Sequence, residues 1–248
     1  MKKTVIITGG NKGIGLDISR VFSEAGYEVF VGARENTKPL TELGNNVHFV
    51  KTDVRIESDH QNLVRAALEE TGRLDTYINN AGFSAWRSIG NIDDDFLSNV
   101  LDTNLKGVFW GCKSALSVMQ CGANIVNVSS IAGKRGSSNN SAYCSSKFGV
   151  NAITQSLAKE VGKKNIRVNA VCPVIVPTEG LIEALDEPES PAYGNIEGFI
   201  DNFRKTQAAL PELPEGEEIG KVCLFLASDD ASAITGQCIN VDCGVFPQ

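Results

Sequence analysis

Residues 3–15 read Lys3-Thr4-Val5-Ile6-Ile7-Thr8-Gly9-Gly10-Asn11-Lys12-Gly13-Ile14-Gly15. Lys3 to Thr8 is a short β-branched run, the pattern of a strand buried on both faces of a parallel sheet. It breaks into a glycine-rich turn. A helical pattern follows, with Ile14, Ile18, Val21 and Phe22 on one face and Gly26 placed as its C-terminal cap. Gly9, Gly13 and Gly15 give a tight turn whose backbone N–H groups can approach a pyrophosphate, and the helix N-terminus adds a favourable dipole. The spacing is GxxxGxG, not GxGxxG, and such turns also serve as plain connections.

Strands and helices alternate through the rest of the chain. Val29-Phe30-Val31 reads as a second strand, Glu35 to Asn46 as a stunted helix, and Val47 to Val50 as a third strand. A helix fits Ser58 to Glu70, a strand Leu74 to Ile78, and one long helix Asp93 to Ser117. Strands follow at Asn124 to Val128, Ile166 to Val171 and Cys238 to Val241, with helices at Tyr143 to Val161 and Ile219 to Ala227. This order predicts an α/β fold: one doubly wound parallel sheet with helices on both faces, spanning residues 1–248 as a single domain. Pro177 to Pro214 breaks the pattern. It holds five of the eight prolines, and Glu179 to Glu218 holds eleven acidic residues. It reads as an irregular insertion that can cover a site.

The 248 residues are 42% hydrophobic and 21% charged, enough to bury a core. A net charge of −7 argues against nucleic-acid and anionic-membrane partners. No run approaches a membrane span, and the apolar stretch after Lys2 and Lys3 is shorter than a signal-peptide core. Seven cysteines without a CxxC pair, and His48 and His60 far from any cysteine cluster, leave no usual zinc spacing. The expectation is no metal and reduced, mostly buried thiols in a cytoplasmic protein.

Tyr143 and Lys147 stand four apart on a predicted helix, hence on one face. Such an ammonium can lower the phenol's pKa and ready it for proton transfer. Alone, such a pair is far more often two exposed residues on an ordinary helix. With Thr8-Gly9 to Gly15, Asn79-Asn80-Ala81-Gly82, Asn104, Ser130, Phe225 to Asp229 and Ile234-Thr235-Gly236 in this order, the chain resembles the short-chain dehydrogenase/reductase family over its whole length. The resemblance implies a Rossmann-like seven-stranded domain, a nicotinamide cofactor and a homodimer or homotetramer. It makes Tyr143 the general acid/base and Ser130 the donor that polarises the substrate oxygen. Lys147 would bind the nicotinamide ribose and keep Tyr143 acidic, and Asn104 would hold a water in a relay through Lys147. Asn80, Ala81 and Gly82 would line the cofactor cleft beside Gly9, Asn11, Lys12, Gly13, Ile14 and Gly15. Asp53 and Val54 resemble adenine contacts, although a helix cap is the other reading of Asp53. Pro173, Val176 and Thr178 match the segment near the nicotinamide, with Thr178 able to bond its amide.

Gly32-Ala33-Arg34 follows the second strand, where NAD-preferring dehydrogenases often carry an acid. Ala33 cannot repel a 2′-phosphate, and Arg34 and Lys12 can pair with it, which favours NADP(H) over NAD(H). Arg34 could instead stack on adenine, and Lys12 could be solvated. Val174 stands where the family has Gly, and Pro177 stiffens the hinge before Thr178. Asp242-Cys243-Gly244 replaces the frequent Asp-Gly-Gly, with an effect read as local. The expected substrate is a ketone, secondary alcohol, polyol or sugar-like molecule. Alternatives are a 3-oxoacyl thioester or, in another class, a non-catalytic nucleotide-sensing or scaffold protein. Phe83, Trp86, Arg87, Lys134 and Arg135 lie in loops beside the site. Tyr193, Ile196, Phe199 and Phe203 could form one apolar helical face over the cleft.

Overall fold

Alternation along the first strand sets the layers. In β1 (Thr4–Thr8) every residue is buried. Val5 and Ile7 pack with Ile18 and Phe22 of α1 (Gly13–Glu24), while Ile6 faces the opposite cluster with Leu63 and Tyr77. A strand whose two faces are both apolar must be covered on both sides. Each fully buried Ile contributes roughly 1.5–3 kcal/mol of transfer free energy.

The computed structural model describes residues 2–247; Met1 and Gln248 lie outside them. After α1 come β2 (Glu28–Ala33), the one-turn α2 (Lys38–Thr41), β3 (Val47–Lys51), α3 (Glu57–Thr71) and β4 (Thr76–Asn79). Then follow α4 (Asp94–Leu101), a π segment (Asp102–Lys106), α5 (Gly107–Leu116), β5 (Asn124–Val128), α6 (Ser141–Val161) and β6 (Arg167–Pro173). The chain ends with α7 (Glu179–Leu185), α8 (Ile196–Gln207), α9 (Gly216–Ala227) and β7 (Cys238–Val241). The seven strands form one parallel sheet in the order β3-β2-β1-β4-β5-β6-β7. Helices α1 and α9 pack on one face, and α3, α5 and α6 on the other. Strand order reverses between β1 and β4, so a crevice opens beyond their carboxyl ends.

Three expectations change. The fourth strand starts at Thr76, not Leu74, because Asp75 turns outward: its carboxylate accepts from Thr4 N at 2.7 Å and pairs with Arg73 Nε at 2.8 Å. The long helix from Asp93 is interrupted by the π segment. The stretch 177–214 is not irregular throughout. Thr178 caps α7 by accepting from Leu181 N, and Asn195 caps α8 by accepting from Gly198 N at 3.0 Å, so two short helices form between the prolines.

Among the described residues no helix is long and apolar enough to cross a membrane, and no three His, Cys, Asp or Glu side chains are grouped to hold a metal ion. The seven cysteines are unpaired; Cys112, Cys144, Cys172 and Cys223 are buried and Cys121 is exposed.

Candidate active site

The crevice is a cleft of about 760 Å³ at the ends of β1, β2, β4, β5 and β6. Its floor is tied together by the residues that end the strands. Asn80 Nδ2 donates to the carbonyls of Thr8 and Gly9 at 3.0 and 3.1 Å, and Thr8 Oγ1 accepts from the N–H groups of Asn80 and Ala81. Asn79 Nδ2 donates to Asn127 Oδ1 at 2.9 Å, joining β4 to β5. Asn11 Nδ2 donates to Glu35 O at 3.0 Å, and Thr37 Oγ1 donates to Asn11 O at 2.7 Å, which fixes the glycine turn to the end of β2.

The turn fits a dinucleotide pyrophosphate. A Cβ on Gly15 would lie 2.1 Å from Gly9 O and 2.4 Å from Asn80 Nδ2, and one on Gly9 2.9 Å from Ala81 Cα. Side chains are thus kept out where backbone N–H groups and the start of α1 face the cleft. Lys12 and Arg34 are exposed on the cleft wall, with no carboxylate in ion-pair range among the described residues. Asp53 is not a helix cap. Its carboxylate accepts from Arg55 N at 3.0 Å and Arg55 Nε at 2.9 Å, and this arginine holds its pKa below the ordinary range. Ile56, two positions beyond Val54, precedes α3 instead. The carbonyl of Val54 faces His60 Nε2 at 2.9 Å, and His60 Nδ1 faces Tyr77 OH at 2.8 Å. Burial lowers the His60 pKa, so the ring is neutral and donates from Nε2.

At the other end, α6 presents Tyr143 and Lys147 to the cleft, with Ser130 at the end of β5. Lys147 is only 5% exposed. Its Nζ donates to Val128 O at 2.9 Å and lies 5.7 Å from the Tyr143 ring centre. Burial lowers its pKa to about 8. The expected acidified phenol is not found in this structure. Desolvation raises the Tyr143 pKa, and the neighbouring Ser130 and Ser84 hydroxyls oppose it only in part.

Every site residue read from the sequence lines this one cleft except Asn104. Asn104 lies behind it, fully buried in the π segment. Its carboxamide is taken up by Phe83: Oδ1 accepts from the N–H at 3.0 Å, and Nδ2 donates to the carbonyl at 2.9 Å. A Cβ on Gly82 would meet Asn104 Oδ1 at 3.0 Å and Lys147 Nζ at 3.6 Å, so both groups converge on that glycine. Thr178 closes over the opposite end, 3.5 Å from the Cβ position of Gly13. Three loop candidates turn elsewhere, and Tyr193, expected on a helical face with Ile196, lies before α8 instead. Arg87 stacks 4.1 Å over Phe96 and pairs with Asp93 at 3.4 Å, Lys134 Nζ donates to Cys238 O at 2.6 Å, Arg135 lies over Phe246, and Tyr193 is 59% exposed. Ser84 was missed. Its one sequence signal is its place two residues after Gly82.

A phenol, two hydroxyls and a buried ammonium beside an anion-binding glycine turn define a nicotinamide-dependent oxidoreductase of carbonyl and secondary alcohol groups. A family model described as enoyl-(acyl carrier protein) reductase matches residues 9–246. The chain is 33% identical to the 3-oxoacyl-(acyl-carrier-protein) reductase FabG of Chlamydia pneumoniae, over 98% of this chain and 96% of that one. Its structure is similar to that of an actinorhodin polyketide ketoreductase with NADPH, at TM-score 0.89 and 30% identity over 98% and 97% of the two chains. It is also similar to a 3-ketoacyl-(acyl-carrier-protein) reductase of Brucella melitensis complexed with NADH, at TM-score 0.87 and 25% identity over 98% of each chain. The chain belongs to the short-chain dehydrogenase/reductase family.

Proposed function

We propose that the protein is an NADP(H)-dependent carbonyl reductase, or alcohol dehydrogenase in reverse, acting on a small ketone, polyol or sugar-like substrate. The convergence of Ser84, Ser130, Tyr143 and Lys147 on one cleft carries the reading. A bound nicotinamide supplies the hydride. Charge then develops on the carbonyl oxygen, where Tyr143 donates a proton and Ser130 supplies a hydrogen bond. The buried Lys147 ammonium favours the phenolate that remains and is placed to grip the ribose. Asn104 acts as a positioning residue through Phe83 and Gly82. Lys12 and Arg34 support NADP(H), because both are exposed cations on the cleft wall and Ala33 offers no competing acid.

The same reading takes residues 1–248 as one domain with 177–214 as its lid. It takes the protein to be cytoplasmic and a homodimer or homotetramer. Phe109 on α5 and Phe148 on α6, 52% and 46% exposed, support a partner surface. A second reading, 3-oxoacyl-thioester reduction, is favoured by the activities of the relatives named above.

The test is NADPH and NADH oxidation across a panel of ketones, sugars and thioesters, with Tyr143→Phe as control. Turnover should appear with NADPH, and the variant should lose ~10²–10⁴-fold in rate while still binding NADPH. A variant with near-full activity would refute the acid/base role. Cofactor binding without turnover on any carbonyl would favour a nucleotide-sensing protein.

A further inference from the structure

Three segments that border the cleft are joined by a closed ring of hydrogen bonds. They are the loop after β4, which carries Phe83 and Ser84, the loop before α6, with Tyr143 just beyond it, and the stretch between α7 and α8. Arg87 N donates to Asn139 O at 2.6 Å. Asn139 Nδ2 donates to Glu189 O at 3.3 Å. The Glu189 carboxylate returns to the first loop, where Oε2 accepts from Ser88 N at 2.8 Å and Oε1 from Asn91 Nδ2 at 3.0 Å. Ser88 follows Arg87, so the ring closes. Asn139 is held at φ 56°, a left-handed conformation that side chains disfavour and that Asn tolerates better than most. The third segment is braced as well: the buried Ser190 hydroxyl donates to Leu185 O and accepts from Ala192 N at 3.1 Å. Strained backbone and bonding to two other segments at one junction mark a geometry that the surrounding structure enforces.

We propose that Glu189 is a positioning residue for the reduction: it ties the lid to both neighbouring loops and thereby holds Ser84 and Tyr143 at a set spacing. The inference rests on the carbonyl-reductase reading, with 177–214 as the lid, and adds to it the residue that seats the lid. Between Phe83 and Ile89 the first loop has no regular structure, and its backbone donors to other segments, Arg87 N and Ser88 N, both go to the ring. Catalysis tolerates little drift there, since a displacement of about 1 Å can cost ~10²-fold in rate. A carboxylate suits the place because it offers only acceptors, and both of its partners are donors. The cofactor end is built separately, by the Asn80, Asn11 and Thr37 bonds about the glycine turn. Loss of Glu189 therefore acts on the carbonyl and not on the dinucleotide.

The experiment compares the wild type with Glu189→Ala, Glu189→Gln and Asn139→Gly, using NADPH and the best carbonyl of the panel. Glu189→Ala should lower kcat/KM for the carbonyl by about tenfold or more, while the Kd for NADPH moves by less than about twofold. Glu189→Gln should restore activity to within about threefold of wild type, because the carboxamide keeps an acceptor for Ser88 N and can donate to Asn91 once that amide turns over. Asn139→Gly frees the strained backbone but cuts the ring, so it should lose activity severalfold without losing melting temperature. Amide exchange reads the ring without turnover: Arg87 and Ser88 should lose about tenfold or more in protection in Glu189→Ala. Full activity in Glu189→Ala, or a melting temperature and NADPH affinity that fall in step with activity, overturns the positioning role. Unchanged exchange at Arg87 and Ser88 overturns the ring itself, whether or not the enzyme turns over. No turnover by the wild type with any carbonyl overturns the reductase reading, and with it the role assigned to Glu189.

Discussion

Asn104 grips Phe83 by both backbone groups: its Oδ1 accepts from the Phe83 N–H at 3.0 Å, and its Nδ2 donates to the Phe83 carbonyl at 2.9 Å. The loop that follows β4 therefore starts from a fixed point beside Tyr143 and Lys147. Its far end is held as well, because Glu189 accepts from Ser88 N at 2.8 Å and from Asn91 Nδ2 at 3.0 Å. Replacing Asn104 by Ala strands two backbone groups and should cost ~1–3 kcal/mol. Activity should fall by at least about tenfold as the loop carrying Ser84 loosens. Urea midpoints and kcat measured together check both. A variant as stable and active as wild type would mean that the Phe83 clamp is idle.

Lys147 makes stability depend on pH. Its folded pKa is depressed to about 8 from 10.5, so below pH 8 the fold carries the full burden of a buried charge. Between the two values the unfolded chain binds a proton that the folded one has released. Stability contributed by this group must therefore rise with pH in that window, by ~3 kcal/mol at most. Denaturant titrations at pH 7.5 and 9.5 should show this rise in the wild type relative to Lys147→Met. Parallel behaviour of the two proteins would place the Lys147 pKa near its ordinary value.

The glycines of the first turn should not be equivalent. Gly15→Ala puts a Cβ into Gly9 O and Asn80 Nδ2, where backbone must move. Gly13→Ala meets only the Thr178 side chain at 3.5 Å, although its φ of 53° costs about 1–2 kcal/mol for an L-residue. Gly15→Ala should thus lose more melting temperature and weaken NADPH binding more, as read by nicotinamide fluorescence. The reverse order would contradict the close approach.

Cys243 occupies the left-handed region at φ 54°, next to Gly244 at 78°. The Cys243 carbonyl accepts from Ala209 N at 2.9 Å and Leu210 N at 3.1 Å, tying the C-terminal turn to the segment just beyond α8. Cys243→Gly relieves the backbone strain and should stabilise the protein by ~0.5–1 kcal/mol, net of the added freedom of the unfolded chain. Chemical denaturation measures it, and a loss of stability would mean that the thiol packs to more effect than the strain costs.

The strands were legible because burial on two faces writes continuous apolar runs, as at Val5-Ile6-Ile7 and Val29-Phe30-Val31. The convergence of Ser130, Tyr143 and Lys147 was legible through motif order. What escaped depends on tertiary context. The start of β4 turns on where Asp75 finds its partners. The helices of 177–214 hang on caps from Thr178 and Asn195, which proline and acid content obscured. The direction of the Tyr143 pKa follows from burial that no pattern of residue types reports. Ser84 is an ordinary serine until the loop brings it to the phenol.

The π segment has a further consequence. A π turn is an α-helix with one residue too many, and each residue advances a helix by about 100°. Asp102 to Lys106 thus sets two rotational phases within one rod, one for α4 and another for α5. Asn104 sits at the phase change. Deleting a single residue there would restore a regular helix and still leave either Asn104 or the Gly107–Gly111 packing face about a quarter-turn out of place. The irregularity is a phase shifter: one helix serves two neighbours that a uniform helix could not satisfy together.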